Sequence, residues 1–140
     1  MKALLFGEKK WWAVLLGGLL NGVAYATIMA EFCLGSMTAA MWLSVIPFAL
    51  MIIVFNTISL KKLFLSTALY VGAFILVGFP LSRFFYMHQF EILFPGEKPW
   101  AGDGFGIMTV TAFYLFIGLV AWIIALVSTS LRASKKKNSA

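Results

Sequence analysis

Apolar residues run almost without a break from Trp11 to Leu60, and Glu31 is the one formal charge among them. A helix needs about 20 mostly apolar residues to cross about 30 Å of hydrocarbon. The run is too long for one such helix and suits two. Gly35 and Ser36 stand near its midpoint and mark a turn, which predicts spans over about 11–34 and 38–60. Lys61 and Lys62 end the second. A third span covers 63–81, closing at Pro80 and Arg83, and a fourth covers 105–129. No alternating ten-residue pattern of the β-barrel kind is visible. The expected fold is an all-α integral membrane protein: one domain, an antiparallel bundle of four transmembrane helices. An interfacial segment, the outer loop 82–104, joins helices 3 and 4, and a basic cytoplasmic tail, 130–140, closes the chain.

Composition narrows the class further. Of 140 residues, 62% are hydrophobic and 11% charged, whereas a soluble domain has about 25% charged and 45–50% apolar residues. Such a chain cannot cover a globular surface in water. A soluble enzyme and a disordered tail are both excluded. Cys33 is the single cysteine, so a disulfide scaffold is excluded as well.

Charge sets the expected orientation, because Lys and Arg are retained on the cytoplasmic side. Lys2, Lys9, Lys10, Lys61, Lys62, Arg132, Lys135, Lys136 and Lys137 fall on one side of a four-span arrangement; only Arg83 and Lys98 fall on the other. Both termini are therefore expected in the cytoplasm, with a bacterial inner membrane as the location. This bias accounts for the net charge of +6 without nucleic acid. The tail around Arg132 and Lys135 to Lys137 is placed to meet anionic lipid headgroups. Lys9, Lys10 and Ala24-Tyr25-Ala26 have the outline of a cleavable signal peptide, but the apolar run continues well past Ala26, and the segment is read as a span.

Small residues supply the expected helix packing, since lipid tails are as apolar as leucine. Gly18, Gly22, Ala26 and Ala30 recur every four residues and share one face of the first span. That stripe admits a close neighbour, either within the bundle or in another subunit. Asn21 is the deepest side chain that its own backbone cannot satisfy, and is expected to bond across the bundle. Tyr25 lies on the same helix. Asn56, about one turn from the cytoplasmic end, is expected to reach water.

Candidate chemistry is sparse. Glu31 sits about one turn, or roughly 6 Å, from the outer end of span 1, where a carboxylate costs little and can pair with Arg83. In length and span number the chain is similar to small multidrug exporters, whose essential first-span carboxylate lies mid-helix; the similarity stops at size. The outer segment interleaves aromatic belt residues such as Phe84, Phe85 and Trp100 with charges, and a helix is expected to continue from span 3 to about Leu93. On it His88 and Glu91 share a face. With Asp103 they make a possible three-ligand set, and with Arg83 a possible anion site. None of these spacings belongs to a known metal motif, and no P-loop, dinucleotide fingerprint or CxxC pair is present. Neither metal nor cofactor is expected.

Three functional classes fit. The first is a non-catalytic accessory or interaction subunit that binds a larger membrane protein. The second is a homo-oligomeric transporter or channel using Asn21, Tyr25 and Glu31. The third is a membrane enzyme built from Arg83, His88, Glu91 and Asp103. Scarce buried charge weighs against the second and the missing catalytic constellation against the third, which leaves the first as the expectation.

Overall fold

The computed structural model of the protein describes residues 10–56, 62–99 and 103–139. These residues form five helices: α1 Lys10–Leu34, α2 Met37–Leu43, α3 Val45–Asn56, α4 Leu63–Leu93 and α5 Asp103–Asn138. No strand occurs among the described residues. With α2 and α3 taken as one stretch, four segments are long and apolar enough to cross a membrane: Trp11–Leu34, Met37–Asn56, Leu63–Leu93 and Gly104–Asn138.

The first apolar run divides at Gly35 and Ser36. Ser36 is extended, and its Oγ accepts from the Ala39 amide at 3.3 Å, satisfying one of the donors a helix start leaves open. Glu31 accepts from the Ser36 amide at 3.2 Å, so the turn is tied from both sides. Next, α2 stops at Ser44. The cause is Pro47, which has no N–H for the carbonyl of Leu43 and is placed in the first turn of α3, where amides have no partner within the helix. The Ser44 amide bonds the Ala40 carbonyl at 3.1 Å and its hydroxyl the Met41 carbonyl at 2.6 Å.

Two helices are longer than the expected spans. Helix α4 passes through Pro80 and ends at Leu93, where the sequence placed the end of a continuing helix, and the Phe94 amide bonds the Phe90 carbonyl at 2.8 Å. Its buried residues lie on both sides of the proline, with Tyr70 and Gly78 before it and Ser82, Tyr86 and Phe90 after it, so packing continues past the bond Pro80 cannot make. Helix α5 runs to Asn138, so Arg132 and Lys135 to Lys137 stand on a helix rather than beyond it. At 31 and 36 residues, α4 and α5 measure about 46 and 54 Å, well over the roughly 30 Å of hydrocarbon.

The centre is α1, with 56% of its most apolar window buried, against 28, 22 and 22% in the other three segments. It packs most extensively on α4, and α3 packs on α5; the backbones of α4 and α5 barely approach each other among the described residues, and the two helices touch through side chains. Positions rise together along α1 and α4: Gly18 meets Tyr70 and Ala73, and Gly22 meets Val77 and Gly78. They run opposite along α1 and α5, from Tyr25 beside Thr111 to Cys33 beside Gly106. One core cluster gathers Val14, Phe55, Leu63 and Ala125 near the Lys62 end, and another gathers Tyr25, Met29, Ala40 and Val110 toward the Gly35 end.

Candidate functional site

The polar groups of the interior converge on Asn21, which is 1% exposed. Its amide nitrogen donates to the Tyr70 hydroxyl on α4. Its side-chain oxygen accepts from the Tyr114 hydroxyl on α5, which also lies 3.2 Å from the Asn21 main-chain carbonyl. Three helices are thus joined through one amide. One turn along α1, the Tyr25 hydroxyl lies 2.9 Å from Thr111 Oγ1. Thr111 also bonds the Ile107 carbonyl at 2.7 Å, which uses its single hydrogen, so Tyr25 is the donor of the pair. The rings around this network interlock: Tyr25 meets Phe74 edge-on at 5.3 Å and Tyr114 at 5.1 Å, while Phe74 and Tyr114 stack at 5.6 Å.

Where α4 and α5 diverge, a groove of about 450 Å³ opens, floored by Asn21 and Tyr25 of α1. Val71, Phe74 and Ile75 form one wall and Leu115, Gly118 and Leu119 the other. Toward the Lys62 end it is bridged by Trp122, whose indole N–H donates to Thr67 Oγ1 at 3.0 Å. The hydroxyl of Thr67 in turn bonds the Leu63 carbonyl at 2.7 Å. No buried side-chain nitrogen or oxygen among the described residues is without a partner.

The small stripe of α1 is enclosed: Gly18, Gly22, Ala26 and Ala30 are all buried. A Cβ on Gly18 would lie 2.6 Å from the Tyr70 carbonyl oxygen, and one on Gly22 would lie 3.2 Å from the Phe74 carbonyl oxygen. The two glycines of the stripe therefore face α4 of the same chain. Glu31 lies apart from Asn21 and Tyr25, engaged with the Ser36 amide rather than with Arg83.

Arg83, His88 and Glu91 are exposed on the last turns of α4. The His88 ring stacks on Phe84, at 6.1 Å and 4°. His88 and Glu91, with Glu97, border a shallow cavity of about 480 Å³. Asp103 begins α5, and its side chain lies outside the described residues. Among the described residues no three of His, Cys, Asp or Glu are placed to hold a metal ion.

Two connections have no counterpart in the sequence reading. Tyr114 went unnoticed there, although a phenol in the middle of an apolar run is a signal, because its hydroxyl needs a partner when buried. The other joins the far ends of α3 and α5. Asn56, half-buried, accepts from Ser128 and from Arg132, whose guanidinium reaches the Asn56 main-chain oxygen at 2.7 Å and its side-chain oxygen at 2.8 Å. A cation there also suits the negative end of the α3 dipole. No family model, curated protein or solved structure matches the chain.

Proposed function

We propose that the chain is a non-catalytic accessory or interaction subunit of a larger membrane protein. In this reading its four apolar segments cross a bacterial inner membrane as an antiparallel bundle with both termini in the cytoplasm. The asymmetry of Lys and Arg supports that orientation. The opposed and matched runs of contacting positions along α1, α4 and α5 support the up-and-down order.

The observation that carries the functional reading is how the interior uses its polar groups. Asn21, Tyr25, Tyr70 and Tyr114 bond to one another and to Thr111, and join helices. The space beside them is walled by apolar side chains. A transport path needs polar groups turned toward a wet or ion-bearing space, whereas these are turned toward each other. The glycine pair of the small stripe, the natural seam for a homo-oligomer, is occupied by α4 of the same chain.

Native mass spectrometry of the intact complex, extracted in mild detergent, tests the proposal. A larger membrane protein in fixed stoichiometry with the 15.5 kDa chain is the expected result. A closed homo-oligomer with no other component overturns it in favour of a transporter or channel.

A further inference from the structure

The groove between α4 and α5 has a chemistry and a charged end that select its occupant. Each buried polar side chain on its floor has a partner: Asn21 bonds Tyr70 and Tyr114, and Tyr25 bonds Thr111. The lining left to cover is mostly apolar. Two kinds of apolar partner exist at this depth, another helix and a lipid chain, and the charge at one end of the groove separates them. At about 450 Å³ the groove has room for a single hydrocarbon chain.

Length and charge say where that chain comes from. Along α4 the groove extends from Thr67 to Phe79, about 18 Å of helix, close to the roughly 15 Å depth of one leaflet. Lys62 is exposed just before α4, five positions ahead of Thr67, or about 7 Å along the axis. That is the headgroup depth if Thr67 stands at the edge of the hydrocarbon. The neighbouring ends of α3 and α5 carry Arg132 and Lys135 to Lys137 and no acid, so this end of the groove attracts a negative headgroup. On the membrane orientation given above, we propose that the groove holds one acyl chain of an anionic phospholipid from the cytoplasmic leaflet, with its headgroup at Lys62.

The test uses the full chain, delipidated in detergent. Phosphatidylglycerol or phosphatidylcholine of identical acyl chains is added, and lipid retention is read by native mass spectrometry. One phosphatidylglycerol per chain should survive activation, at several-fold the retention of phosphatidylcholine. Gly118→Leu and Ile75→Trp fill the groove from opposite walls and should each cut retention at least five-fold. Ile75 is 47% exposed, so its replacement leaves the core in place, and circular dichroism with size-exclusion elution confirms folding. Lys62→Ala should abolish the preference between lipids while leaving a chain bound. Wild-type protein that holds neither lipid overturns the proposal, as does retention unchanged in the folded Ile75→Trp variant. A groove-filling variant that alters the oligomeric state and not lipid retention overturns it too, and assigns the groove to a second copy.

Discussion

Gly22 and Gly78 face each other across α1 and α4 so closely that a Cβ on Gly22 would come within 2.9 Å of the Gly78 main-chain nitrogen. This is a contact between backbones, and side chains cannot yield to relieve it. Without a hydrophobic drive between helices in lipid, such approach is a main source of their association.

Gly18→Leu and Gly22→Leu should therefore destabilise the fold by about 1–3 kcal/mol each, through overpacking against α4. Gly72, on the same pair of helices, would meet nothing within 4 Å of an added Cβ. Gly72→Ala should stay within about 0.5 kcal/mol of the parent. Unfolding in mixed detergent micelles reads all three, and equal losses at Gly22 and Gly72 would contradict the packing described.

Tyr114→Phe removes the hydroxyl that bonds the Asn21 side chain. Interhelical bonds of this kind in membranes are worth about 0.6–1.7 kcal/mol, and a loss in that range is expected. Tyr70→Phe acts on the same amide. The double variant should thus differ from the sum of the two singles by at least about 0.5 kcal/mol; strict additivity in a double-mutant cycle would mean that Asn21 does not couple the two helices.

Arg132→Ala should loosen the Lys62 end by about 1–2 kcal/mol, since it breaks charge-assisted bonds to both oxygens of Asn56. Arg132→Lys keeps the charge and loses the planar fork, so it should recover only part of that stability. Rapid amide exchange confined to the last turn of α3 is the expected signature, growing with salt for the lysine variant. No change in exchange there would count against the clamp.

Glu31→Gln still offers an oxygen to the Ser36 amide, so it should leave stability nearly unchanged. Ser36→Ala removes the cap on α2 and should cost about 0.5–2 kcal/mol. If Glu31→Gln instead abolished a measured transport activity in a folded protein, the carboxylate would be coupling ions and the accessory reading would fail.

Fold class was legible because helix-length apolar runs leave few alternatives, and the break at Gly35 and Ser36 could be placed from run length alone. The helix continuing from span 3 to about Leu93 was read as well, and α4 does end there. Its buried residues past Pro80, which are Ser82, Tyr86 and Phe90, were not read, because Arg83 and a cluster of aromatics looked like a membrane boundary. Asn21 announced its need for a partner. Its partners lie 49 and 93 positions away, and nothing local names them. The groove is less legible still, for it arises where α4 and α5 meet only through side chains such as Phe74 and Tyr114, and composition carries no record of the distance between two backbones.

The separation between Asn21 and Tyr114 also sets a clock for biosynthesis. At about 5–20 residues per second, the 93 positions between them take roughly 5–20 s to translate. Tyr70 emerges sooner and receives the hydrogen that Asn21 donates, but the Asn21 side-chain oxygen waits for the last helix. A nascent chain released before α5 keeps that oxygen without its Tyr114 partner, so truncated and finished products differ in a polar group that α5 conceals.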